Sequence, residues 1–173
     1  TVNRVFNFSA SGNYLNLGQN TLTVASTGSI SNASSTSYFV VSPTSNTNGR
    51  LRQNGLTTSA RLFPIGSAIS YLPVTITATS ASSDFSVSVF RGTTTNGLPG
   101  GTQFGSRNMQ VDAVWQIDRP SGSANAVLRF DWGSNALEGG GFTGTPNSQI
   151  GIWRYHGSNW VLTPPGAYVN DNS

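Results

Sequence analysis

Apolar side chains recur at every second residue along most of this chain, and that period builds strands rather than helices. Val74, Ile76 and Ala78 alternate with Thr75, Thr77 and Thr79, and Phe85, Val87 and Val89 with Ser86 and Ser88. Ala113, Trp115 and Ile117 alternate with Gln116 and Asp118, and Ala126, Leu128 and Phe130 with Val127, Arg129 and Asp131. Ile150 and Ile152 oppose Trp153 and Tyr155, and Trp160 to Leu162 closes the series. Successive residues of a strand face opposite sides of its sheet, so each run reads as a half-buried strand. Weaker strands are expected at Val2 to Phe8, Tyr14 to Leu17, Thr21 to Ala25, Tyr38 to Val41, Arg50 to Gln53 and Ala60 to Phe63. No segment carries an apolar stripe of period 3.6.

Turn signals separate these runs. Asn48-Gly49, Asn54-Gly55 and Asn96-Gly97 suit the positive φ of tight turns. Pro43, Pro64, Pro73, Pro99 and Pro120 fall where strands are expected to end, and there a missing N–H does least harm. Many short strands with such punctuation predict an all-β antiparallel sandwich.

The chain has 173 residues, enough for one domain that stands without metal or disulfide. Residues 1–58 are thin in large apolar groups, whereas all four Trp lie beyond them. They are expected as a small β extension, an arch or solenoid-like coil, packing on residues 59–173 within a single domain 1–173. Charged residues make up only 9%, against about 25% in an average domain. Ser, Thr and Asn replace them, as suits an exported, surface-exposed protein.

Composition also excludes several functions. The net charge of +3 comes from 9 cations spread from Arg4 to Arg154, with no basic run to neutralise phosphates, so no nucleic-acid role is expected. All nine cations are Arg. A Lys–Asn isopeptide cross-link therefore cannot form. Cysteine is absent, which removes disulfides, Cys-ligated zinc and thiol chemistry together. No stretch approaches the roughly 20 apolar residues of a membrane helix, and no membrane insertion is expected. No signal peptide is visible either, so a secreted protein would be represented here in its mature form.

No catalytic constellation stands out, and no enzyme activity is expected. Asp118 and Asp131 are expected on neighbouring strands, but Arg119 and Arg129 beside them favour structural ion pairs over a glycosidase pair. His156 is the single histidine, and no Gly-x-Ser-x-Gly elbow accompanies it. The loop from Asp131 to Glu138 has oxygen atoms suited to calcium but lacks the spacing of a known calcium loop, so no cofactor is assigned. Trp132, Trp153 and Tyr155 are candidates for an aromatic platform on which a surface glycan could stack; the competing reading puts the tryptophans in the core.

Three segments in order carry a family resemblance. Tyr38-Phe39-Val40-Val41 leads through Gly49-Arg50-Leu51-Arg52 to Leu62-Phe63-Pro64-Ile65-Gly66 and Ser70-Tyr71-Leu72-Pro73-Val74-Thr75. Val114-Trp115-Gln116-Ile117 is followed by Ala126-Val127-Leu128-Arg129-Phe130-Asp131-Trp132, and then by Ile152-Trp153-Arg154-Tyr155 with Trp160. Over residues 14–163 the series resembles the β-rich repeat modules of very large secreted and cell-surface proteins of Bacteroidetes, which often carry a type IX secretion signal. The resemblance implies an adhesive or structural role and carries no catalytic motif. Such modules usually continue after the last Trp with another strand. Its absence here implies either a trimmed chain or an open sheet edge.

An open edge is a template for a strand from another chain. Val2, Arg4, Val5, Phe6 and Phe8 are the candidates for a donated strand, which passed head-to-tail would build a filament. The expected partners are therefore copies of the chain itself, neighbouring modules or surface glycans, in a secreted or cell-surface setting.

Overall fold

A computed structural model describes residues 1–41, 49–133, 135–142 and 151–163. The described residues are all-β, with several sheets packed together in the manner of a sandwich and a single 3-10 turn at Asn135–Leu137. The chain divides into two compact units. One comprises Thr1–Arg91 and Val114–Gly133, the other Gly92–Ala113 and Ser134–Ser173.

The first unit begins with strands β1 (Val5–Asn7), β2 (Leu15–Asn16), β3 (Thr21–Val24), β4 (Ser29–Ser31), β5 (Phe39–Val40) and β6 (Arg50–Leu56). It continues with β7 (Arg61–Phe63), β8 (Ile65–Ser67), β9 (Ser70–Tyr71), β10 (Val74–Ala78), β11 (Ser83–Arg91), β12 (Ala113–Ser121, whose first residue falls in the second unit) and β13 (Ala126–Phe130).

The early strands pair in parallel, one coil upon the next. Val5 lies beside Ser29, Leu15 beside Phe39, Thr21 beside Arg50 and Phe39 beside Ile65, so partners sit 24 to 29 residues apart. These parallel ladders, which run on to β8 beyond residue 58, contrast with the antiparallel pairing of the rest. Phe6, Phe8 and Phe39 fill its interior, with ring centroids 5.0–5.1 Å apart. A second column, Tyr14, Tyr38 and Tyr71, has separations of 4.8 and 5.1 Å. Tyr14 and Tyr38 stand on neighbouring coils, whereas Tyr38 and Tyr71 meet across the β8 rung, where Gly66 has no side chain and an added Cβ would lie 2.6 Å from the Tyr38 ring.

The parallel ladder then turns antiparallel. β9 reverses against β8 and β11 against β6, giving the sheet orders β2-β5-β8-β9 and β12-β11-β6-β3. A three-stranded antiparallel sheet, β13-β10-β7, completes the sandwich. In β10, Val74, Ile76 and Ala78 are fully buried and Thr75 and Thr77 half-buried, as the alternation requires. β11 departs from it, because Ser86 and Ser88 are buried as well as Phe85, Val87 and Val89. Ser88 is satisfied there by the Gln116 side chain at 3.0 Å.

Two local expectations change. Asn54-Gly55 is not a turn but lies inside β6, where Gly55 takes φ +67° opposite a register shift between Ser83 and Phe85. The signal marks a β-bulge, which uses the same positive φ as a tight turn. The bulge is fastened by Asp84, whose carboxylate accepts from the Gly55 N–H at 2.9 Å and from Arg52 at 2.7 Å. Secondly, β12 and β13 enter different sheets although they are consecutive, so Asp118 and Asp131 are not on paired strands. Asp118 instead pairs with Arg50 of β6 at 2.6 Å, and Arg119 donates to the Ala124 carbonyl at 2.7 Å. Asn48-Gly49 as a turn and Ile150 as a strand residue fall partly outside the described residues.

The second unit contains a hairpin of β14 (Trp153–His156) and β15 (Asn159–Leu162). Gly157 and Ser158, at φ +58° and +91°, form its two-residue loop, the arrangement whose twist suits a tight hairpin.

Candidate functional site

The sequence candidates fall in three places. Val2, Arg4, Val5, Phe6 and Phe8 form the first coil of the first unit. Val2 bridges Val24 and donates to the Thr23 carbonyl at 2.7 Å, and β1 pairs with β4 of its own chain. Asn7 accepts from Ser31 and Asn32 at 3.0 and 2.8 Å. Phe8 is buried and Phe6 half-buried against Phe39, whereas Val5 is 60% exposed. The strand singled out for donation is thus built into its own stack, and withdrawing it would strip Phe39 of two ring neighbours.

Trp132 is half-buried and belongs to the first unit; Trp153 and Tyr155 belong to the second. On the hairpin, directly opposed residues share a face, so Trp153 and Leu162 lie with Tyr155 and Trp160. The two pairs differ sharply. The Trp160 indole N–H donates to the Thr94 carbonyl at 2.9 Å, and its ring meets Tyr155 edge-on at 5.6 Å. Gly97 presses on Tyr155 so closely that an added Cβ would lie 2.8 Å from Cγ. Tyr155 and Trp160 are therefore fixed packing residues. Trp153 remains 57% exposed, beside Leu162 at 46%.

Trp115 is half-buried. It packs on Phe130 at 4.8 Å and donates to the Leu72 carbonyl at 3.0 Å, which satisfies its one polar atom.

Titratable chemistry is sparse. Asp131 accepts from the Gly133 N–H at 2.9 Å, closing its own turn, and within the second unit the backbone of Glu138 forms an isolated antiparallel bridge with Val111. Among the described residues no group of three or more His, Cys, Asp or Glu gathers as a metal site would require. Asp112 accepts from Arg107 at 2.7 Å and fastens the loop of the second unit. A shallow depression of about 220 Å³ lies over the outer face of β10 and β13, between Leu62, Pro73, Thr75, Arg129 and Asp131. Among the described residues two groups have displaced pKa values, and both belong to the tyrosine column. Burial pushes the Tyr71 phenol up to about 12, with Asp131 adding to it. Burial, and then Tyr14, raise Tyr38, whose hydroxyl donates to the Ser67 carbonyl at 2.9 Å.

Sequence reasoning passed over the tyrosine column because its members stand 24 and 33 residues apart, with no constant period between them. Comparison with protein-family models, with curated proteins and with solved structures finds no match to this chain.

Proposed function

We propose that the chain is a non-enzymatic structural or adhesive module of a bacterial surface protein, exported and exposed. The observation that carries this reading is the hydrogen-bonded four-stranded sheet β3-β6-β11-β12, to which the first coil adds Val2. It joins segments from Val2 to Ser121 in one sheet, so separating them requires many backbone hydrogen bonds to break together. The scarcity of charge and the hydroxyl-rich composition support an extracellular setting. Strand donation is left aside, because β1 already pairs within its own chain. Single-molecule stretching of the chain between two handles tests the reading. A discrete force peak that releases most of the first unit is expected; extension without a resolved peak would overturn it.

A second reading, glycan binding, is favoured by one observation, the exposed Trp153 beside its packed neighbours Tyr155 and Trp160. A single indole face gives one stacking surface. A glycan-array signal lost on Trp153→Ala would support it, and an array without signal would dismiss it.

A further inference from the structure

The parallel stack is open along its first coil; at the far end two of its three ladders are closed, and β4 has β1 as its one strand neighbour. β1 and β2 each have a strand neighbour on one side only, and the outer side of β3 is met at Val2 alone. At the far end, the place of a further parallel coil is taken by β9 and β11, which run the opposite way.

The backbone groups turned toward the open side can be named. The Phe8, Leu15 and Leu17 N–H groups and the Arg4 carbonyl all engage the coil that follows, at 2.7–3.2 Å. Alternate residues of a strand address opposite neighbours. Val5, Asn7 and Asn16 therefore address the open side. Around them Val5, Tyr14 and Leu15 are exposed by 60%, 52% and 38%, and Tyr14 is the end of the tyrosine column on this side.

We infer that this edge docks one further parallel β-coil, supplied by an adjoining module of the surface protein. The ladder fixes the direction and spacing of the incoming strand. Tyr14 calls for an aromatic on the next rung, and Asn7, already bonded to Ser31 and Asn32 on its downstream side, calls for a polar side chain above it. A second copy of this chain fits less well. Head-to-tail stacking meets the reversed strands β9 and β11, and edge-to-edge pairing brings the exposed Arg4 of both copies to one interface, where like charges repel. The inference rests on the structural reading above for the source of the coil; the edge itself does not depend on it.

The test adds a coil to the whole chain: a duplicate of residues 1–24 placed upstream, which reproduces the 24-residue offset of Val5 to Ser29 and Leu15 to Phe39. Amide hydrogen exchange is read at Val5, Asn7 and Asn16. Slowing by about tenfold or more, in a particle that light scattering shows to be monomeric, is the expected result. Unchanged exchange at those amides, with the added coil exchanging as an unfolded segment, would overturn the proposal. A concentration-dependent dimer of the unextended chain that protects the same amides would overturn the assignment of the partner. If the added coil is protected but stretching shows no force peak, the structural reading fails and the docking edge stands.

Discussion

Tyr14 and Tyr38 stand on successive coils with their rings 4.8 Å apart and inclined at 71°, so each coil presents its ring to the one before it. Such pairs add about 0.5–1.5 kcal/mol beyond the area they bury. Tyr38 is buried and also donates to Ser67, whereas Tyr14 is half exposed. Urea titration should therefore find Tyr14→Ala destabilised by about 1 kcal/mol and Tyr38→Ala by about 3 kcal/mol or more. Equal losses would mean that the column is not stacked as described.

The same column makes stability fall at alkaline pH. Tyr71 has its pKa raised in the folded state, so folding favours its neutral phenol. Its contribution is complete below the unfolded value near 10 and is lost as pH rises toward about 12. Tyr38 shifts in the same direction. Thermal unfolding followed between pH 9 and pH 12 should show a declining Tm that Tyr71→Phe makes shallower. An unaltered slope in that variant would count against the assignment.

At the bulge, Gly55 takes φ +67° and an added Cβ would lie 2.6 Å from Ser26 Cβ. Gly55→Ala combines an unfavourable backbone conformation with that contact, and a loss of about 1–3 kcal/mol is expected. Asp84→Ala removes the acceptor for both Gly55 and Arg52 and should cost about 1–3 kcal/mol. Chemical denaturation of the two single variants and of the double variant measures this. Fully additive losses would show that Asp84 does not act through the bulge.

On the hairpin, the two tryptophans should respond to different extents. Trp153→Ala is expected to change stability by no more than about 0.5 kcal/mol, because the ring is largely in solvent. Trp160→Ala removes the hydrogen bond to Thr94 and the contact with Tyr155, and should cost about 2–4 kcal/mol in the unit that contains it. Near-ultraviolet circular dichroism during melting distinguishes the two.

Some strands were legible in the sequence because polar and apolar residues alternate along them. Val74 to Ala78 carries its alternation openly because Thr75 and Thr77 reach the surface. The parallel coils were harder to read. Tyr14-Leu15 and Tyr38-Phe39 do repeat at 24 residues, but β3 meets β6 at 29, since the segment before β6 is longer, and no fixed period survives. β4 is Ser-Ile-Ser in a stretch of Gly, Ser and Asn, where local propensity points to a loop and only the neighbouring coil makes it a strand. Asn54-Gly55 misled for a related reason: turns and bulges require the same backbone angle, and only the partner strand decides between them.

For the candidate site, alternation correctly set Trp153 and Tyr155 on a common face. It could not show that Gly97, far away in sequence, covers one of them. The first-coil residues were legible as a strand but not as one already paired, because its partner β4 left no signal of its own.

One strand has a role that reaches past its own packing. β6 pairs in parallel with β3 on one side and antiparallel with β11 on the other, so it is at once a rung of the coil stack and a member of the sandwich. A strand held in common cannot serve as a hinge, nor as a place to divide the gene. Fragments cut near residue 58 would each keep a raw sheet edge where the other half had been, and would be expected to aggregate or to seek each other out rather than fold apart.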